Sequence, residues 1–295
     1  MTPTTTPRYL EDRIAMYEAT RRKGIDFLLR HCHNDGSVGP GAKRVTYYRV
    51  PWALLLGGET AAACRLLAWI ERHGLGLDGE FHGGVPWSSA TNPALNTYRE
   101  TCLAYGAQLL RRFDLARRAM AFALQFQDPE TGGVYMDRER TGADGPQLLF
   151  PTCQFGMSAL ITGHIDAALA AGHWLQRLWD AQPDLPRRLY TVWTRGGGLA
   201  TAPPAEDDAR HYINKSQEML ELHYNGGIAA AFLAQLFMGT GDQAWLDLAR
   251  AYQHFSMHST ERQFETKQVC KSAWGAGLLW LATRDPVYAA WTVRM

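Results

Sequence analysis

Two stretches of this 295-residue chain decide its architecture: DLARRAMAFALQF at residues 114–126 and DQAWLDLARAYQHF at residues 242–255. In the first, Leu115, Ala119, Phe122, Ala123 and Phe126 recur at spacings of three and four. In the second, Trp245, Leu248, Ala249, Tyr252 and Phe255 do the same, so each stretch draws one apolar stripe along a helix. Each follows a tight turn, Arg112-Phe113-Asp114 or Gly239-Thr240-Gly241-Asp242, with an Asp placed to cap the helix. Before each turn lies another, more uniformly apolar helix.

Working outward, this pairing repeats. Buried helices are expected to begin near Tyr48, Tyr98, Pro151, His223 and Cys270, at separations of about 50, 53, 72 and 47 residues. Their amphipathic partners run over Glu59–His73, Asp114–Phe126, Ile165–Trp179 and Gln243–Met257, with a truncated last one from Pro286 to the end. The first amphipathic helix, Leu10–His31, has no buried predecessor and can close a ring beside the last buried helix. The expected fold is all-α, an α/α toroid of five to six helical hairpins forming one domain over 1–295. Strand signals are weak, and Gly132-Gly133-Val134-Tyr135 and Asp78-Gly79-Glu80-Phe81 have room only for small β-ribbons. The longest irregular stretch, 185–212, carries Arg195-Gly196-Gly197-Gly198, Pro203-Pro204 and Glu206-Asp207-Asp208. Loops of that length often cover a site, so it reads as a lid, the alternative being a floppy surface insertion.

Composition bounds the function. At 46% hydrophobic the chain can build a sizeable core, and 30 Lys and Arg against 29 Asp and Glu offer no basic face for nucleic acid. No window approaches a membrane span and Met1 to Tyr9 has no apolar core of a signal peptide, so a soluble, cytoplasmic protein is expected. The five cysteines (Cys32, Cys64, Cys102, Cys153, Cys270) are odd in number and lack CxxC spacing, which points to reduced thiols rather than disulfides or a zinc knuckle. Ten Trp, 12 Tyr and 11 Phe suit an aromatic-lined cavity.

The segment Arg118-Ala119, Phe122, Gln127-Asp128-Pro129-Glu130-Thr131-Gly132-Gly133-Val134-Tyr135 resembles the repeat of the terpenoid cyclase and protein prenyltransferase toroid superfamily, in which a helix ends in a Gln-containing, Gly-rich turn. A looser copy is Lys23-Gly24, Phe27-Leu28, His31, Asp35-Gly36-Ser37-Val38-Gly39, with His in place of Gln. The resemblance implies the toroid fold. Its activities are not carried over, because the chain lacks an Asp-x-Asp-Asp proton donor, an Asp-Asp-x-x-Asp magnesium site and the zinc ligands of prenyltransferases. Tyr224-Asn225-Gly226-Gly227-Ile228 and Trp274-Gly275-Ala276-Gly277 are similar to the glycine-led helix starts of lanthionine cyclases, without their Cys-His-Gly element.

In such a barrel the starts of the buried helices line the cavity, so the candidate residues are sought there. Tyr48, in Thr46-Tyr47-Tyr48-Arg49, offers a phenol or simply packs. Tyr98 and Glu100 open the next helix; Glu100 among apolar neighbours is a candidate acid or base, unless Arg99 or another base pairs with it. Asp137 and Glu265, in preceding loops, are the available second carboxylates. Cys153 lies near a helix start, where the dipole lowers a thiol pKa, or else is a small core residue. His223, Tyr224 and Asn225 form the densest polar cluster, ahead of Gly226 and Gly227, which either admit a ligand or permit tight packing. Cys270, Lys271 and Trp274 open the last buried helix after Glu265-Thr266-Lys267-Gln268, with Lys271 either desolvated or snorkelling. His82, before Gly83-Gly84, and Trp193 are wall candidates.

The reading these residues favour is a cofactor-independent isomerase, lyase or cyclase, with no metal, acting on a small apolar, terpenoid- or polyketide-like molecule. Glu100, Cys153, His223, Tyr224 and Cys270 would carry the acid–base chemistry, and Tyr48, His82, Tyr98, Trp193, Asn225, Lys271 and Trp274 would hold the substrate. The alternatives are an α/α-barrel carbohydrate enzyme, a sugar epimerase or uronide hydrolase, and a non-catalytic binding toroid. A homo-oligomer is compatible with all three.

Overall fold

The computed structural model describes residues 8–39, 47–82, 95–265 and 270–295. Of the segments singled out above, Met1 to Pro7, Thr46, Gly83-Gly84 and Thr266-Lys267-Gln268 lie outside the described residues. The chain divides into two compact units, Met1–Pro86 with Leu103–Ala119, and Trp87–Cys102 with Met120–Met295.

Among the described residues the helices are α1 (Arg8–Arg30), α2 (Val50–Leu56), α3 (Thr60–His73), α4 (Tyr98–Leu109), α5 (Phe113–Leu124), α6 (Leu149–Ile161), α7 (Ile165–Asp180), α8 (Tyr224–Thr240), α9 (Gln243–Met257), α10 (Cys270–Thr283) and α11 (Pro286–Arg294). The hairpin periodicity therefore places both the buried helices and their amphipathic partners. Asp242 and Asp285 cap α9 and α11 by accepting the Ala244 and Val287 N–H groups. Asp114 differs: it sits inside the first turn of α5, where it pairs with Arg112.

In the first unit, α3 turns Ala62, Ala63, Leu66, Leu67, Trp69 and Ile70 inward. Tyr48 is buried against Phe81, and Arg112 bridges Glu71 and Asp114. In the second unit, α6 and α8 are buried along most of their length, and α8 packs against α6, α9 and α10. Glycine makes the last approach possible. A Cβ on Gly227 would lie 2.3 Å from Ser272 Cα, and one on Gly226 would lie 2.4 Å from the Tyr252 carbonyl oxygen. Gly226 and Gly227 thus serve helix packing rather than ligand access.

The Gln-containing turn is held by local chemistry. Asp128 Oδ1 accepts the Glu130 and Thr131 N–H groups, Gly132 takes φ +83°, and Gln127 Nε2 donates to Gly132 O and across to Ala167 O in α7. Asp35 and Asp78 repeat the Asp-led turn, each beside an isolated β-bridge, Cys32 with Val38 and Leu75 with Phe81. His31, in the Gln position, sets its ring Nδ1 2.7 Å from Phe27 O at the end of its own helix.

The 185–212 stretch is not the irregular loop expected. It forms β2 (Arg188–Tyr190), β3 (Val192–Thr194) and β4 (Gly198–Leu199), and β5 (Ile213–Lys215) follows. β2 pairs with β5, while β3 pairs with both β4 and β1 (Gln147–Leu148), the strand leading into α6. Short β-rich runs such as Leu189-Tyr190 and Val192-Trp193 are too brief to announce themselves by alternation. We call 185–215 the insert.

Gly→Ala in an open helix is stabilising by roughly 0.5–1 kcal/mol. Here Gly227→Ala is expected to reverse sign and cost about 1–3 kcal/mol, because the backbone of α10 must move. A urea denaturation midpoint no lower than the parent's would refute the close approach.

Candidate functional site

The site is built in the second unit, where the starts of four buried helices converge. Tyr98 of α4 and Phe150 of α6 lie with ring centroids 4.6 Å apart, and Phe150 meets Tyr224 of α8 edge-on at 5.3 Å. The Lys271 ammonium of α10 sits 4.3 Å from the Tyr224 centroid and 5.2 Å from that of Phe150. These contacts make an aromatic floor with one cation held on its π-faces. Tyr98 and Tyr224 are almost fully buried, and burial pushes the Tyr224 phenol above its ordinary pKa.

On the α4 side of this floor Asn96, Thr97 and Glu100 are fully buried. Arg138 lies over Phe122 and Phe126, donates to the Asn96 backbone and side-chain oxygens, and reaches Glu100 Oε1 at 3.4 Å. Arg138 thus pairs with Glu100. Asp137, next along, is also fully buried. Its Oδ2 takes Arg140, and the same guanidinium holds Asp207 of the insert at 3.1 Å. Tyr212 donates its hydroxyl to Asp207 at 2.6 Å.

On the α8 side, Asn225 Nδ2 donates to Asn214 Oδ1 at 2.6 Å, and Asn214 donates to Arg210 O. His223 Nε2 lies 2.9 Å from Glu218 O. A carbonyl oxygen only accepts, so Nε2 carries the proton and Nδ1 keeps its lone pair. Burial lowers the His223 pKa below its ordinary value, against a smaller opposing effect of that hydrogen bond, and holds the ring neutral.

One feature unites the two sides. Asp137 Oδ1, His223 Nδ1 and Asn225 Oδ1 are buried and have no hydrogen-bond partner among the described residues, as is Thr97 Oγ1. His223 Nδ1 and Asn225 Oδ1 are acceptors once the tautomer of His223 is assigned, and Asp137 Oδ1 accepts when ionised and donates when protonated. The cations here are engaged: Arg138 with Glu100, Arg140 with Asp137 and Asp207, Arg210 with Asp208, and Lys271 with the rings. Such an array suits a ligand rich in hydroxyl groups, which both donate and accept.

The structure gathers Tyr98, Glu100, His223, Tyr224, Asn225 and Lys271 around the four helix starts, and Trp274 is half-buried one turn beyond Lys271. Cys153 departs from its expected chemistry. Its thiol is fully buried and pushed well above the ordinary value, the reverse of the lowering expected from a helix start, and it is close enough to Tyr252 in α9 to perturb that phenol. Desolvation outweighs the helix dipole there. Cys270 is exposed. Tyr48 and His82 belong to the other unit, Tyr48 as a packed aromatic and His82 as an exposed side chain 3.7 Å from Glu80. His82, Glu80 and Asp78 could together offer three ligand atoms within 4.8 Å to a metal at that surface turn. Trp193 lines a shallow groove of about 560 Å³ on α7, with His173, Gln176, Arg177 and Asp180. Arg138, Arg140, Asp207, Tyr212 and Asn214 were not among the sequence candidates. They lie in loops and in the insert, and no helix periodicity pointed to them.

No family model and no curated protein sequence matches the chain. Solved structures do. A crystal structure of D-mannose isomerase is similar over 98% of this chain and 86% of its own, with a TM-score of 0.66 at 12% identity. A GH76 alpha-mannanase of Bacteroides thetaiotaomicron is similar over 92% of this chain and 80% of its own, with a TM-score of 0.54 at 12% identity. These likenesses establish the α/α toroid of helical hairpins. The neighbours are a sugar isomerase and a glycoside hydrolase, so the expected kinship with terpenoid cyclases and prenyltransferases extends to the toroid and no further. No helix among the described residues is long and apolar enough to cross a membrane.

The burial pattern sets an order of thiol reactivity. Alkylation of the native protein between pH 5 and 9 is expected to label Cys64 and Cys270 and to spare Cys102 and Cys153, as read by mass spectrometry. Fast labelling of Cys153 near neutral pH would show that its side chain reaches the site after all.

Proposed function

We propose that this protein is a carbohydrate enzyme, an aldose–ketose isomerase acting on a neutral monosaccharide held against the Tyr98, Phe150 and Tyr224 rings. The observation that carries this reading is the set of buried polar atoms without hydrogen-bond partners, His223 Nδ1 and Asn225 Oδ1 at the start of α8 and Asp137 Oδ1 in the loop after α5, together with the aromatic floor. A sugar presents C–H faces to rings and hydroxyl donors to acceptors, and so satisfies both. A terpenoid or polyketide hydrocarbon would leave Asp137 Oδ1, His223 Nδ1 and Asn225 Oδ1 desolvated and unpaired, at roughly 1–3 kcal/mol each. An anionic sugar such as a uronide would find the neighbouring cations already engaged. The toroid likeness to D-mannose isomerase, which spans nearly the whole chain, favours the same class.

In this reading His223 is the base. Its neutral ring, with Nε2–H tied to Glu218 O, presents the Nδ1 lone pair to take the C2 proton of an open-chain aldose and return it to C1. Asn225, fixed by Asn214, orients a sugar hydroxyl. The insert lies over the starts of α6 and α8 and acts as the lid that keeps water from the enediol.

The test is turnover of a panel of neutral aldoses, D-mannose, D-glucose and D-lyxose, followed by NMR in D2O. The expected result is ketose formation in at least one case. His223→Gln keeps a donor for Glu218 O, and is expected to lower kcat about 100-fold or more with an unchanged melting temperature. Release of oligosaccharides from α-mannan with no aldose turnover would instead make the protein a glycoside hydrolase.

A further inference from the structure

A hydrogen-bonded string runs from Asp137 into the insert, whose Asn214 also holds Asn225 on the α8 side. Asp137 Oδ2 is bound by Arg140, Arg140 also holds Asp207 through both carboxylate oxygens, and Tyr212 donates to Asp207. Two residues further, Asn214 fixes Asn225 beside His223 and Tyr224. In this string one guanidinium serves two carboxylates, which leaves one negative charge unbalanced. Asp207 keeps some contact with water, with 13% of its side chain exposed, whereas Asp137 keeps none. A single proton resolves the imbalance most cheaply on the carboxyl that water cannot reach.

We propose that Asp137 is the second proton-transfer group of this site, the one that serves the sugar oxygens, and that Asp207 is a positioning residue that acts on it through Arg140. The inference rests on the isomerase reading above and adds to it the oxygen-to-oxygen half of the reaction. Moving a hydrogen from C2 to C1 also requires moving one from O2 to O1, and His223 has only one free nitrogen. As His223 Nδ1 takes the C2 proton, the Asp137 carboxyl gives its proton to the carbonyl oxygen O1, and the electron pair of the broken C2–H bond becomes the C1=C2 bond of the enediol. His223 then returns its proton to C1 while the O2 hydroxyl gives its own to Asp137 Oδ1. The ketose leaves with both groups as they began, and no oxidant or cofactor enters the balance.

The groups that face Asp137 are few. Arg140 and Glu139 come from its own segment, Asp207 and Tyr212 from the insert, and Asn96 with the Glu100–Arg138 pair from the α4 side. Burial raises the Asp137 pKa, Arg140 opposes this, and Asp207 and Glu139 add to the rise. Asp207→Asn removes one raising charge and leaves Arg140 to Asp137 alone, so the sign is a fall.

The first measurement needs no substrate: carboxyl-carbon NMR of the full chain labelled with ¹³C at aspartate Cγ, with Asp137 assigned by its absence in Asp137→Asn. Asp137 is expected to titrate above the ordinary aspartate range and to move down in Asp207→Asn. Titration in the ordinary range, or no response to Asp207→Asn, overturns the proposal. The second uses whichever aldose is turned over. Asp137→Asn is expected to lose about 100-fold or more in kcat, and Asp207→Asn to bring the alkaline fall of kcat to lower pH, because the protonated carboxyl is the working form. Turnover that survives Asp137→Asn within about tenfold overturns the shuttle and leaves the isomerase reading standing. An Asp137 that titrates as expected in a protein that turns over no aldose overturns that reading, and the shuttle with it.

Discussion

The close approach of α8 to α10 is the contact on which the second unit depends. Where Gly227 meets the Ser272 backbone there is no space for a single methyl group, and Gly226 stands in the same relation to Tyr252 in α9. Buried helices packed this tightly bring their first turns together, and those turns carry Tyr98, Phe150, Tyr224 and Lys271. The aromatic floor is therefore a product of backbone packing. Its rings touch because the helices beneath them have given up side-chain volume.

The polar rim has a different origin. Buried polar atoms without hydrogen-bond partners are costly, and a fold that keeps Asp137 Oδ1, His223 Nδ1 and Asn225 Oδ1 in that state sacrifices stability there. Around them the guanidinium groups are shared: Arg138 is spread over two rings, an asparagine and a glutamate, and Arg140 over two aspartates. The insert belongs to this arrangement rather than to the surface. Its strands pair with the strand that leads into α6, and Thr191 donates to Tyr212 O while its own carbonyl accepts Leu149 N–H. Removing it would unpair the backbone at the entrance to α6 and take from Asn225 of α8 its side-chain partner Asn214.

Much of the helical pattern was legible because local periodicity reports burial directly. Gln243–Met257 is read from the chain and found at those limits, and the partner helices begin within a residue or two of where the apolar stripes begin. The site was legible only in part. His223, Tyr224, Asn225, Tyr98 and Lys271 could be named because they sit at helix starts, a position the repeat identifies. Cys153 sits at such a start too, yet burial raises its thiol pKa where the helix dipole would lower it, and burial is set by the neighbouring helices.

What the sequence by itself determined is the alternation of uniformly apolar and one-faced helices, and hence a layered all-α fold, because a 3.6-residue period is a local property of the chain. What only the tertiary structure decided is which polar groups meet. Asp137 and Asp207 are 70 residues apart, and Arg140 joins them only because the insert folds back over the helix starts. Charge pairing and desolvation act through space, over a few ångströms, and no spacing along the chain encodes them.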